Sequence, residues 1–125
     1  MRVIHKTAVK KAMQEYPQWE SGIFLWFKVF NSSALQFESF AQIREAWKKA
    51  SGWDTDRVPG ATVREEFGKD GTSKADLYVF DIHGTDCRIV CRFISPDKLY
   101  IRLIGSHAEY DKWCKSRVGF KRKGQ

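Results

Sequence analysis

The stretch Leu99-Tyr-Ile-Arg-Leu-Ile-Gly-Ser-His-Ala-Glu-Tyr-Asp-Lys112 decides how the rest of this 125-residue chain is read. Its first six residues alternate, with Leu99, Ile101 and Leu103 on one side and Tyr100, Arg102 and Ile104 on the other. A period of two predicts a strand. Gly105 is expected to break it. Ser106 with Glu109 three residues on has the spacing of a capping box, which opens a helix. A helix starting there puts His107 with Tyr110 (i, i+3) and with Asp111 (i, i+4) on one face. An imidazole, a phenol and a carboxylate thus gather at a strand-to-helix corner, near a strand arginine.

Length and composition predict one domain, residues 1–125, able to bury a core without disulfides or metals. The 42% apolar share argues for a packed fold rather than disorder. No apolar run approaches the ~18 residues of a membrane span. The start, Met1-Arg-Val-Ile-His-Lys6, lacks a signal-peptide core, so a cytoplasmic protein is expected. Cys87, Cys91 and Cys114 are an odd number, which argues for reduced thiols. Their spacing does not suit a metal site, and neither metal nor cofactor is expected.

The net charge of +7 is concentrated at one end. Lys112, Lys115, Arg117, Lys121, Arg122 and Lys123 contribute six cations after Asp111 without one acid, leaving +1 for everything before. Such a tail, 115–125 and its approach, is either an electrostatic footprint for nucleic acid or a solvated solubility tail.

Read from the N-terminus, Arg2 to His5 is a short strand, and Thr7 caps a helix over Ala8 to Tyr16 that Pro17 ends. A second helix is expected over Trp19 to Phe30, apolar nearly all round and therefore buried. Ser39 with Gln42 opens a third, to about Ala50, carrying Phe40, Ile43 and Trp47 as core. Ser51 to Lys74 is rich in glycine and reads as a long loop-like insertion, with a short strand or turn over Thr62 to Phe67. Ala75 to Ile82, Cys87 to Ile94 and the strand from Leu99 alternate and are joined by turn chemistry, which predicts an antiparallel meander. If Cys87, Ile89, Cys91 and Phe93 pack on the helices with Leu99, Ile101 and Leu103, the opposite face presents Arg88, Arg92, Arg102 and Tyr100. That face suits phosphate and a stacked base, or is a solvated sheet whose arginines pair with carboxylates.

These residues resemble a known family. Tyr100-Ile-Arg-Leu-Ile-Gly-Ser-His-Ala-Glu-Tyr-Asp-Lys112 is similar to the closing motif of HigB-type toxins, the RelE-like mRNA interferases of bacterial toxin–antitoxin modules. The likeness reaches back through Val79-Phe-Asp-Ile-His-Gly84 and Cys87-Arg-Ile-Val90, and more loosely to Arg2-Val-Ile4 and Leu25-Trp-Phe27. It departs at Asp81-Ile-His-Gly-Thr85, where the family has an asparagine at both ends, and in a longer 51–74 loop.

The resemblance implies a RelE/ParE-like α+β fold: an N-terminal strand and helices on an antiparallel sheet, then a short C-terminal helix and basic tail. It implies metal-independent endoribonuclease activity on messenger RNA engaged on the ribosome, by 2′-hydroxyl attack on the adjacent phosphate. His107 is then the first choice for acid/base work, with Tyr110 as a second acid/base or a stacking platform. Arg102 and Arg88 would stabilise phosphate, with Asp111 orienting His107. Arg92, Tyr100, Lys112, Lys115, Arg117, Lys121, Arg122 and Lys123 would bind RNA. The implied partners are messenger and ribosomal RNA and a HigA-like helix-turn-helix antitoxin, with no membrane. The alternatives are a non-catalytic RNA- or ribosome-binding module, a gyrase-directed toxin on the same fold, and a toxin degenerate in activity that acts as a co-repressor.

Overall fold

A computed structural model of the chain describes residues 1–60 and 76–117, with side chains as far as Lys115. The expected strand or turn over Thr62 to Phe67, the side chain of Arg117, and Lys121, Arg122 and Lys123 lie outside the described residues. In chain order come β1 (Arg2–Ile4), α1 (Lys6–Glu15), a 3₁₀ turn (Pro17–Trp19), α2 (Glu20–Phe30) and α3 (Phe40–Ser51). Then follow β2 (Thr55–Val58), β3 (Leu77–Ile82), β4 (Cys87–Ile94), β5 (Lys98–Ser106) and α4 (His107–Arg117). The strands form one sheet in the order β1-β5-β4-β3-β2, antiparallel except where β1 runs parallel to β5.

The local chemistry of most elements is as expected. The Ser39 hydroxyl accepts from the Gln42 amide at 3.3 Å to start α3. Gly52, at φ 83°, closes α3 by donating its amide to the Lys48 carbonyl. Three expectations need correction. First, α1 begins at Lys6, so its N-cap is His5 in the left-handed region rather than Thr7. Second, β2 forms inside the stretch expected to be a loop. Its Thr-Asp-Arg-Val has no two-residue alternation, because only its ends are buried, and pairing with β3 along an edge is what makes it a strand. Third, α2 is not buried all round: Phe24 is 48% exposed and carries Lys28 over its ring.

The sheet buries apolar side chains on both faces. One face meets α1, α2 and α3 through Tyr78, Phe80, Ile82, Cys87, Ile89, Cys91, Leu99 and Ile101. Trp26, Phe30 and Trp47 fill the centre of that core, and the Trp47 indole N–H donates to the Asp81 carbonyl at 2.9 Å. The other face carries Val58, Leu77, Val79, Val90 and Leu103 and is covered by Tyr110, Trp113 and Cys114 of α4. Leu103 was expected with Leu99 and Ile101. A bulge between Val90 and Cys91 on β4 leaves Arg102 of β5 outside the pairing, and this shifts the phase by one. Leu103 therefore joins the α4 side, and Ile104 turns to the larger core.

Gly22 brings α2 close against the end of β3. A Cβ there would lie 2.6 Å from Ile82 Cγ2 and 2.9 Å from Cδ2 of His83, whose ring leans on Trp53 at 5.1 Å. Alanine gains about 1 kcal/mol of helix propensity over glycine, whereas overpacking costs about 1–3 kcal/mol. Gly22→Ala is thus expected to lower unfolding stability in urea by up to about 2 kcal/mol, the overpacking cost less the propensity gain. A variant as stable as the parent would show that this approach is not tight.

Candidate active site

The corner between β5 and α4 is built as the sequence motif suggests, with one difference. Gly105 does not end the strand but stays paired opposite Arg88, and β5 runs on to Ser106. The missing side chain serves the following helix instead, because a Cβ on Gly105 would lie 2.7 Å from Glu109 Oε1. Glu109 uses that space to fold back, accepting the Ser106 amide at 2.7 Å, while the Ser106 hydroxyl accepts the Glu109 amide at 3.1 Å. This is the capping box in full. The His107 amide is satisfied by the Asp86 carbonyl at 3.0 Å, which ties the helix start to the β3–β4 turn.

The same Glu109 oxygen accepts a second hydrogen bond that the sequence did not reveal, from the Tyr16 hydroxyl at 2.6 Å. Tyr16 follows α1, so this bond joins the N-terminal helices to the first turn of α4. The Tyr16 hydrogen bond, and then those of Ser106, hold the Glu109 carboxyl below the usual carboxylate range. Burial, and then Glu109, push the Tyr16 phenol well up.

Arg88 is the best-enclosed cation of the corner whose partners are described. Its guanidinium lies over the Tyr110 ring at 4.9 Å, and its Nε is 3.1 Å from Asp81 Oδ1. The two groups meet off line, so this is an ion contact rather than an aligned hydrogen bond. Burial pushes the Asp81 carboxyl up, and the charges of Arg88 and, more weakly, His107 oppose this. His107 itself is exposed, with Nε2 3.3 Å from Asp111 Oδ2 one helical turn on.

Of the residues singled out from the sequence, the structure brings Arg88, Tyr110, His107 and Asp111 to one corner and adds Asp81. Tyr110 is buried beneath Arg88 as part of the smaller core. Arg102 sits at the bulge, half-buried. Arg92, expected on an open face, is fully buried, since β4 is central and its partner positions are Leu77 and Tyr100. It is not presented to a polyanion. Tyr100 is half-buried beside β1, and Lys112 and Lys115 are exposed on α4. Among the described residues, no group of three or more His, Cys, Asp and Glu side chains is placed to hold a metal. Cys87, Cys91 and Cys114 are free thiols. No helix of the described residues is long and apolar enough to cross a membrane.

A five-stranded sheet with helices on one face and a C-terminal helix on the other is an α+β fold of the RelE-like kind. The comparison with protein families agrees: residues 60–113 match the model of the HigB toxin family, the RelE-like toxic component of a toxin–antitoxin system. The matched stretch holds β3, β4, β5 and the first two turns of α4. No curated protein matches the chain. The family implies toxin activity and a cognate antitoxin.

The Tyr16–Glu109 bond makes a testable prediction about the corner. A carboxyl with a depressed folded pKa contributes stability above its unfolded value of about 4.3, and loses it as the pH falls through the folded value. Tyr16→Phe is expected to lower the Tm at pH 7 by roughly 2–4 °C, on the scale of one hydrogen bond. The difference from the parent should shrink as the pH falls below about 4.3, through the lowered folded value. Equal melting at pH 7 would show that the bond contributes nothing to the fold.

Proposed function

We propose that the whole chain, 1–125, is one toxin domain that cleaves messenger RNA on the ribosome and is neutralised by a HigA-like, helix-turn-helix antitoxin in the cytoplasm. The observation that carries this reading is the exposed His107, on the first turn of α4, 3.3 Å from Asp111 and set beside the Arg88–Asp81 pair within the family-matched stretch.

In the reaction, a base takes the proton of a ribose 2′-hydroxyl and its oxygen attacks the adjacent phosphorus. The bond from phosphorus to the 5′-oxygen breaks, and an acid protonates that oxygen. The products are a 2′,3′-cyclic phosphate and a 5′-hydroxyl. No external oxidant or second substrate is needed. Imidazole titrates near neutrality and suits either proton transfer, so His107 takes the acid/base role, oriented by Asp111. Arg102 and Arg88 supply positive charge to the phosphorane, which gains negative charge as the bond forms. Tyr110 supports this by holding Arg88 over its ring, and its hydroxyl is the second acid/base candidate. Lys112, Lys115, Arg117, Lys121, Arg122 and Lys123 hold the RNA backbone or ribosomal RNA, which predicts binding that weakens with salt.

The test is primer extension on a defined messenger RNA with translating ribosomes. The parent protein is expected to cut within codons. His107→Ala should slow cutting by about 10²- to 10⁴-fold, the usual worth of a general acid or base, while still binding ribosomes. Intact messenger RNA with the parent protein would overturn the reading. Cutting that persists in His107→Ala would move the acid/base role to another group.

A further inference from the structure

We propose that His5 and Tyr100, flanked by Arg2, Lys6 and Lys98, form a subsite that stacks a base of the RNA strand outside the nucleotide pair that is cut. This rests on the proposed ribonuclease function and adds to it a binding site at the far end of the same sheet face.

The first observation is the backbone of His5. It lies in the left-handed region, at φ 76° and ψ 47°, although it is not glycine. For an L-residue this costs on the order of 1–2 kcal/mol. The position is the N-cap of α1, where a side chain normally repays its placement by bonding the first turn, and here it makes no such bond. The strain is therefore not explained by capping. What it achieves is to aim an exposed imidazole at the ring of Tyr100, with centroids 6.2 Å apart and planes tilted by 59°. Two rings at this angle are not stacked on each other, so ring surface is left for a third.

The second observation is charge and shape. Arg2 pairs with Lys98, and Ile4 with Tyr100, in the parallel β1–β5 register. Arg2, Lys98 and Tyr100 therefore share one face. Lys6 opens α1, whose first turn holds no acid, so the positive end of the helix adds to the cations. The acid facing this group is Asp97, 3.3 Å from Lys98 Nζ, and it offsets one cation of the three. A shallow groove of about 450 Å³ is lined by residues 2–7. Aromatic rings in a cationic groove match single-stranded RNA, in which a stacked base and its phosphate are held at once.

The third observation is position. Tyr100 lies on the same face as Val90, Leu103 and Arg88, the face that α4 covers at its other end. Tyr100 and Ser106 are six steps apart along β5, roughly 20 Å at about 3.3 Å per residue. The His5–Tyr100 rings thus lie beyond the nucleotide pair at the corner, and a base held there belongs to the strand outside that pair.

The test uses the full chain and a fluorescein-labelled single-stranded RNA, read by anisotropy, with cleavage on ribosomes followed in parallel. His5→Gly removes the ring and keeps the left-handed backbone, and His5→Asn does so with a side chain that tolerates that region. Both are expected to melt at or above the parent temperature and to bind RNA about five- to hundredfold more weakly, the usual worth of one stacked base. Tyr100→Leu should match them. Arg2→Gln with Lys6→Gln should reduce the salt slope of binding by about 1.4, at roughly 0.7 per phosphate contact of a single strand. Parent-like RNA affinity in His5→Gly and His5→Asn, with the parent cutting RNA, would overturn the subsite alone. A parent protein that neither binds nor cuts RNA would overturn the subsite together with the ribonuclease reading.

Discussion

The fold depends on how β5 meets two cores at once. Its outer half must send Leu99 and Ile101 towards α1–α3, yet its inner half must supply Leu103 to α4 and Ile104 to the larger core. A regular strand cannot do this, because a slip of one residue moves every following side chain to the opposite face. The bulge at Arg102 resolves the conflict by placing two residues of β5 against one interval of β4. An arginine at the bulge can leave the pleat without exposing an apolar group. The bulge is therefore what lets a second, small core form, and that core is what seats α4.

Seating α4 sets the electrostatics of the corner. Arg88 would lie on an open sheet face if α4 were absent. With Tyr110 packed beneath it and Asp81 beside it, the guanidinium is 11% exposed. Enclosure strengthens the attraction between the two charges but also costs each its water, which is why burial dominates at Asp81. His107 and Asp111, one turn away on the outer side of the helix, remain exposed. The corner thus divides its polar groups into an enclosed pair, Arg88 and Asp81, and an exposed pair, His107 and Asp111.

Much of this was legible in the sequence, for reasons that differ element by element. Ser39 with Gln42, and Ser106 with Glu109, are local signals whose partners lie within one helical turn, and both caps form as read. The alternation of β3 and β4 was equally local. Most of the misses depend on the folded arrangement rather than on a local pattern. β2 is a strand because β3 lies beside it, and no period within Thr55–Val58 could show that. Gly105 reads as a breaker until Glu109 is seen to need its space. The burial of Arg92 and the phase of Leu103 follow from the bulge and from α4 lying on a face that the alternation alone would leave to solvent. Tyr16 is the clearest case, since its partner is Glu109, on the other side of the sheet sequence.

That last contact bears on how far the family match reaches. Residues 60–113 contain β3, β4, β5 and the start of α4, and with them His107, Arg88, Arg102 and Tyr110. Yet Glu109, which fixes the first turn of α4, is held by Tyr16, and the far end of the same sheet face is bounded by β1 and the His5 corner. Both lie outside the matched stretch. The matched residues carry the groups to which chemistry is assigned, whereas Tyr16, outside the match, holds the first turn of α4 in place through Glu109. Two chains that shared only the matched stretch would then differ in how that turn is anchored.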